Sequence, residues 1–264
     1  MKEILEGIIS VRAAVEGGVR EIEMVYLDVG KYKKRDRKIT GFLSFLKARG
    51  IKTELCEREF IDRLVSESNE NAGTTHGGVA AIVGERRYNS VSEILDKTAS
   101  EKGFCIYLDG VEDPFNLGYS ARALYAFGAS GLILPKRDRQ LGAGVLSRSS
   151  AGASELMATA EFFGCDDKSE RMKLVEEIKR RGIALCCAAV SSTSVSLIEY
   201  DCDFPMILFI GGEKRGISPE FVENADRIVH VPYASEEIRY SLPTATVAAV
   251  AGMELMRIRG NGNL

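Results

Sequence analysis

The 264-residue chain has no C-x-x-C pair, no apolar stretch as long as a membrane span, only two histidines and no surplus of positive charge. Each absence excludes something. A bilayer crossing takes about 20 consecutive apolar residues, so no transmembrane helix is expected. The opening Met1-Lys2-Glu3-Ile4-Leu5-Glu6 does not form a secretion signal, and the expected location is cytoplasmic. The six cysteines (56, 105, 165, 186, 187 and 202) lack metal-site spacing, and Cys186 and Cys187 adjoin inside an apolar run. That pattern suits reduced core residues, so neither disulfides nor a bound metal is expected. A formal net charge of −3 means that no overall basic footprint is available to neutralise phosphates. A Walker phosphate loop is missing, and Gly142-Ala143-Gly144 lacks the third glycine and the preceding strand of a dinucleotide fingerprint.

What is present has an α/β rhythm. In the first ninety residues Ile8, Val11, Ala14 and Val15 have helical spacing, as do Phe42, Phe45 and Leu46. Met24–Leu27, Ile51–Leu55 and Thr75–Val83 read as strands, and 60–65 as a further short helix. Residues 89–102 are polar with one amphipathic segment and suit an interdomain connection. Beyond them, strands near 104–108, 131–134, 183–189, 206–210 and 227–231 alternate with helical stretches, which argues for a mostly parallel sheet covered by helices. The expected division is therefore 1–88, a connection over 89–102, and 103–264.

Charge is organised locally. Residues 1–97 carry 17 basic and 16 acidic side chains, leaving the remainder net acidic. The densest basic run is Lys31, Lys33, Lys34, Arg35, Arg37 and Lys38. Two readings stand: a solvated loop, or an edge that contacts phosphates.

Three segments carry the chemistry. Leu108-Asp109-Gly110-Val111-Glu112-Asp113-Pro114-Phe115-Asn116-Leu117-Gly118 leads from an apolar run into a helical stretch that contains Arg122. Phe209-Ile210-Gly211-Gly212-Glu213-Lys214-Arg215-Gly216 follows another apolar run, and Val229-His230-Val231-Pro232-Tyr233 leads to Ser241-Leu242-Pro243-Thr244-Ala245-Thr246. A strand that opens into a helix places polar groups and free backbone N–H groups at the carboxyl edge of a sheet, where open α/β sheets put their sites. Taken singly, each has a plainer reading: Asn116 as a helix N-cap, the glycines as a tight turn, Arg122 as an exposed helix residue.

Together, in order and spacing, they resemble the three motifs of the SpoU (TrmH-like) RNA 2′-O-ribose methyltransferases, over roughly residues 100–260. The N-terminal stretch ending in His76-Gly77-Gly78-Val79-Ala80 is similar to the small substrate-binding domain preceding many such catalytic domains. The resemblance implies an α/β fold with a C-terminal trefoil-knot domain, S-adenosylmethionine as methyl donor with S-adenosylhomocysteine as product, a homodimer, and an RNA partner, ribosomal before transfer RNA. It implies Asn116, Arg122, Glu213 and Ser241 at the catalytic site, and Ala189, Gly211, Gly212, Gly216, Val231 and Leu242 around the cofactor. Lys33, Lys34, Arg35 and Arg148 are the expected RNA contacts, Arg148 having helix packing as its equal alternative. The lack of an acidic-Gly-x-Gly-x-Gly loop agrees in disfavouring Rossmann-type methyltransferases.

Arginine is essentially always protonated, so Arg122 is expected to grip a phosphate and stabilise the emerging oxyanion, with Asn116 orienting it and Glu213 holding it. His76 reads as a turn residue and His230 as a packed one. One position departs from the pattern: the third motif usually reads Ser-Leu-Asn, and this chain has Ser241-Leu242-Pro243. Proline offers neither an amide side chain nor a backbone N–H, and Thr244 or Thr246 is the nearest substitute. That departure keeps open an RNA- or cofactor-binding relative without turnover. A base methyltransferase of another knotted branch is the further alternative, disfavoured by the Asn-Leu-Gly and Ser-Leu segments.

Overall fold

The computed structural model describes residues 2–68, 76–111, 113–136, 142–212, 215–235 and 240–261. It divides into two units, Met1–Arg87 with Gln140–Leu156, and Tyr88–Arg139 with Met157–Leu264.

In chain order, the first unit begins with β1 (Glu3–Glu6), α1 (Ile8–Gly17), β2 (Ile22–Asp28), α2 (Val29–Lys33), α3 (Arg37–Ala48), β3 (Thr53–Cys56), α4 (Arg58–Ser68) and β4 (Val79–Val83). Its four strands lie in the order β1-β4-β2-β3; β4 pairs antiparallel with both neighbours and β2 runs parallel to β3. The helical spacing read in the sequence is real: Val11 and Ala14 of α1 and Phe42 and Leu46 of α3 bury against Val25, Leu27, Val79 and Ala81 of the sheet. Asp28 and Asp36 cap α2 and α3 through their carboxylates, meeting N–H groups that a helix start leaves unpaired. His76 is a turn residue, as its flanking glycines suggest. Its Nδ1 accepts from Gly78 N (3.1 Å) and its Nε2 meets Asp62 (2.7 Å), so both ring nitrogens are engaged.

The second unit opens with α5 (Val91–Ser100), β5 (Phe104–Asp109), α6 (Pro114–Ala126) and β6 (Gly131–Pro135). The stretch expected as a connection over 89–102 is thus a helix of this unit. Ser90 and Glu93 form a capping box at its start, and Ile94 and Leu95 bury in the core. Next come α7 (Ala143–Ser149) and α8 (Ala153–Leu156), which the sequence reading placed with the C-terminal domain but which pack in the first unit. Ala143 joins the first unit's core, and the buried Glu155 carboxylate accepts from Arg20 Nε (2.9 Å) with Arg86 nearby.

The chain then completes the second unit with β7 (Thr159–Phe162), α9 (Lys168–Arg180), β8 (Ala184–Ala188), β9 (Val195–Ser196), β10 (Met206–Gly211), α10 (Pro219–Glu223), β11 (Arg227–His230) and α11 (Thr244–Asn261). Seven strands form a wholly parallel sheet in the order β7-β6-β5-β10-β8-β11-β9. Cys105, Tyr107, Ile207 and Phe209 pack with α5, α9 and α10, while the alternate Ile106, Leu108, Leu208 and Ile210 are equally buried. A parallel sheet covered on both faces needs such uninterrupted apolar strands. Phe209 sits between Tyr107 (ring centroids 4.8 Å apart) and Phe221 (4.4 Å). Among the described residues, no helix is long and apolar enough to cross a membrane, and no group of three or more His, Cys, Asp or Glu could hold a metal ion.

All six cysteines are free thiols. Burial pushes Cys105 and Cys187 up to about 12, far from the thiolate form that reacts. In the native chain at pH 8 both are expected to resist alkylation by iodoacetamide and to react once urea unfolds the protein, as read by peptide mass spectrometry. Phe209→Ala should lower unfolding free energy by about 3–5 kcal/mol in a denaturant titration; an unchanged midpoint would contradict the aromatic core.

Candidate active site

The sheet order fixes where a site can form. The chain leaves β5 towards β6 and β7, then returns on the other side through β8 and β10, so the strand order switches direction between β5 and β10. Crevices at such switch points open at the carboxyl ends of the strands. At the same edge, beyond β10, lies a cavity of about 320 Å³, bounded by the ends of β8 (Ala188, Ala189), β10 (Gly211, Gly212) and β11 (His230, Val231), and by Ser241, Leu242 and Thr244 at the start of α11. Its volume falls in the range of small-molecule sites, roughly 300–1,000 Å³.

Glycine is required at the cavity's edge by distance. A Cβ on Gly211 would lie 2.5 Å from the Gly216 carbonyl carbon, and one on Gly212 would lie 2.5 Å from the Gly110 oxygen. The backbone at the ends of β5 and β10 closes to a Gly212 N–H···O Asp109 bond of 2.5 Å, and Gly216 N–H returns to Gly212 O at 3.0 Å. Gly216 has φ of +67°, in the left-handed region that glycine enters without penalty. The Asp109 carboxylate, only 3% exposed, accepts from both the backbone N–H (3.0 Å) and the hydroxyl (2.8 Å) of Ser218, tying β5 to the start of α10. Further along, Arg171 grips Glu220 in a forked pair (2.8 and 3.1 Å), which holds that carboxyl below its ordinary range and fixes α10 against α9.

The opposite wall is pinned by two polar contacts. Thr244, the first residue of α11, donates its hydroxyl to Gly211 O (3.1 Å), and Leu242 N–H donates to the Tyr233 hydroxyl (3.1 Å). Pro243 is exposed, and its carbonyl accepts from Thr246 N (2.9 Å) and Val247 N (3.1 Å). Proline therefore starts the helix without loss, because the N–H it lacks is one that a helix start does not use.

The residues predicted around a cofactor, Ala189, Gly211, Gly212, Gly216, Val231 and Leu242, all line this one cavity, and Ser241 does too. Asn116 and Arg122 do not. They stand on α6, which rises from the same edge of β5. Asn116 is not the helix cap: Asp113 takes that role, accepting from Phe115 N (2.7 Å) and Asn116 N (2.9 Å), with Pro114 as the first helical residue. The Asn116 side chain is thereby released from structural duty. Arg122 is exposed two turns into the helix, on the face that also presents Phe115 and Tyr119. Glu213 lies outside the described residues. Lys33, Lys34 and Arg35 are exposed in the first unit, whereas Arg148 is ion-paired to Glu6. The sequence reading did not single out Tyr233 or His230 as lining the cavity, or the contact between Asp109 and Ser218, whose partners lie far apart in sequence. The Nδ1 of His230 is buried without a hydrogen-bond partner among the described residues.

Comparison with known proteins agrees with this geometry. Residues 103–251, more than half of the chain, match the SpoU rRNA Methylase family, and residues 4–89 match a domain described as RNA 2′-O ribose methyltransferase substrate binding. The 23S rRNA (guanosine-2′-O-)-methyltransferase RlmB of Pectobacterium atrosepticum is 28% identical over 264 residues, covering 98% of this chain and 100% of that protein. An uncharacterized tRNA/rRNA methyltransferase of Synechocystis, slr0955, is 26% identical over 98% of this chain, which spans 63% of that longer protein. Among solved structures, the SpoU methyltransferase AviRb of Streptomyces viridochromogenes, in complex with AdoMet, superposes with a TM-score of 0.75 at 21% identity, covering 99% of this chain and 92% of its own. An rRNA methyltransferase from Sinorhizobium meliloti gives 0.72 at 21% identity over 97% and 87%. At these identities the structures establish the shared fold.

Gly212→Ala must push its methyl into the Gly110 carbonyl. Overpacking of this kind costs about 1–3 kcal/mol, and the variant's melting temperature is expected to fall by several degrees. A variant that melts with the wild type would mean that the two strand ends are not so closely held.

Proposed function

The chain belongs to the SpoU rRNA methylase family, and from that premise we propose that it transfers a methyl group from S-adenosylmethionine to a ribose 2′-hydroxyl of ribosomal RNA. The observation that carries the reading is the convergence of Ala189, Gly211, Gly212, Gly216, Val231, Ser241 and Leu242 on one cavity at the carboxyl ends of β8, β10 and β11. The cavity fits the donor: glycine at 211 and 212 clears a cradle that side chains would fill, and the lining mixes apolar side chains with backbone polar groups. Bound there, S-adenosylmethionine supplies an electrophilic methyl group on a sulfonium.

The protein's part is alignment and charge. A ribose hydroxyl is weakly acidic and must be placed in line with the methyl group while it loses its proton. Orientation alone can supply about 7–11 kcal/mol of such a barrier. Arg122, exposed on α6, grips the adjacent phosphate and stabilises the oxyanion as it forms. Asn116, whose side chain the cap at Asp113 leaves free, orients Arg122 and the ribose, and Ser241 holds the entrance of the cavity. Glu213, which follows β10 in the sequence, is the expected support for the arginine. The trefoil knot of the family belongs to the same proposal, as does work on ribosomal RNA in the cytoplasm.

The substrate is assigned by likeness to the RlmB proteins, named for 23S rRNA guanosine 2′-O-methylation, and by the substrate-binding match over residues 4–89. Lys33, Lys34, Arg35 and Arg148 are its expected contacts. A homodimer completes the reading: α6 and α11 pack together and leave Phe115, Tyr119, Val250 and Met253 exposed, an apolar face for a second copy. Pro243 is the one feature that favours a binding role without turnover. The intact start of α11 and the Thr244 contact to Gly211 favour the active enzyme.

Tritiated methyl transfer from S-adenosylmethionine to ribosomal and transfer RNA pools lacking ribose methylation tests the proposal. Wild type should label ribosomal RNA, with the label in a 2′-O-methyl nucleoside after digestion. Arg122→Ala should reduce transfer by about 10²–10³-fold, the usual cost of removing an oxyanion-stabilising donor, while S-adenosylhomocysteine affinity by calorimetry stays unchanged. Label on a base, or loss of cofactor binding in Arg122→Ala, would overturn this division of roles.

A further inference from the structure

The first unit contains a second, larger cavity that the methyl-transfer site does not use, a groove of about 910 Å³. Its walls are the start of α1, the first turn of α3, and Arg148 of α7. Arg12, Lys31, Arg37, Lys38 and Arg148 line it, against two carboxylates, Glu6 and Asp36. Asp36 is spent on capping α3, accepting from Lys38 N (2.9 Å) and Ile39 N (3.2 Å). Lys31 is committed to the Gly77 carbonyl (2.7 Å), and Arg148 to Glu6 Oε1. Arg37 and Lys38 remain as a cationic rim, with Arg12 beside them, 3.8 Å from the Glu16 carboxylate. The Arg12 guanidinium is held over the Phe45 ring, 4.0 Å from its centroid, so it is already oriented.

Glu6 supplies a second observation. The residue is 5% exposed, and its Oε2 is buried with no hydrogen-bond partner among the described residues. A buried acceptor without a donor keeps its desolvation cost until something brings an N–H to it. Ile9, 64% exposed, and the half-buried Ile8 provide apolar surface in the same groove. Cationic rim, apolar wall and a waiting acceptor fit one chemistry, an unpaired nucleotide: phosphates on the rim, the base ring on the wall, a base N–H on the carboxylate. A base within a duplex has its donors engaged by its partner strand and does not fit.

We propose that this groove binds a single-stranded segment of the RNA substrate and reads one unpaired base through Glu6, favouring bases that carry an amino group. The proposal rests on the RNA-modifying reading above and deepens it. It also redistributes the basic run of the sequence. Arg37 and Lys38 face the groove, while Lys33, Lys34 and Arg35 lie outside its lining. Cytosine presents an amino donor where uracil presents a carbonyl, so the two pyrimidines separate the base contact from stacking.

Fluorescence anisotropy of the full chain with labelled RNAs of about 12 cytidines or about 12 uridines tests it, a length within the usual single-strand site sizes. Wild type should bind the cytidine strand at least about fivefold more tightly, the worth of one net hydrogen bond, and Glu6→Gln should remove that preference. The double variant Arg37→Ala/Lys38→Ala should weaken both strands and lower the slope of log K against log salt by about 1.4, two phosphate contacts' worth. Lys47→Ala/Lys52→Ala, exposed in the same unit and outside the groove lining, should leave affinity and slope unchanged. Equal binding of the two strands by wild type, or equal losses in the two double variants, would overturn the proposal. Should Glu6→Gln fail to fold by thermal melting, the double variants decide. Methyl transfer is measured on the same preparations: transfer without the groove signature refutes the groove alone, and the signature without transfer refutes the methyl-transfer reading alone.

Discussion

The close approach of two strand ends is the constraint on which the second unit depends. At the carboxyl edge of the sheet, Gly212 lies against the backbone of Asp109 and Gly110, and its N–H reaches Asp109 O at 2.5 Å. No side chain fits between them. The Asp109 carboxylate then locks the start of α10 through Ser218, and Gly211 O receives the Thr244 hydroxyl that fixes the start of α11. Two strand ends and two helix starts thus meet. The cavity beside them keeps its shape because the strand ends bond to each other through backbone atoms and to the helix starts through short side chains.

Much of this was legible in the sequence, for a physical reason. Strands buried on both faces must be almost wholly apolar, so Phe104–Leu108 and Met206–Ile210 announce themselves. Glycines at a strand end mark close backbone approach, and the predicted cofactor positions do line one cavity. What the sequence concealed depends on pairings distant along the chain. The Asp109–Ser218 clamp and the burial of Glu155 between Arg20 and Arg86 follow no period. Helix α5 was hidden differently. Its polar face dominates the composition of 89–102, although Ser90 and Glu93 are spaced as a capping box.

Local chemistry also reassigns single residues. Asn116 stands three residues past the true cap, so a residue type common at helix starts is relieved of the capping role. Pro243 occupies a helix start, where proline's missing N–H is no loss. A net charge of −3 is compatible with an RNA partner because the cations are gathered, not abundant. In the first unit Asp36 is spent on capping α3 and Glu6 meets Arg148 through one oxygen, while Arg37 and Lys38 line the groove.

The central claim is that the methyl donor sits at the carboxyl ends of β8, β10 and β11, held largely by backbone groups. A crystal structure of the chain with S-adenosylhomocysteine tests it most directly. The account places the ligand against Ala189, Gly211, Val231 and Leu242, with strand ends unmoved. Ligand bound elsewhere, or a cavity that must open by separating Gly212 from Gly110 to admit it, would contradict the account.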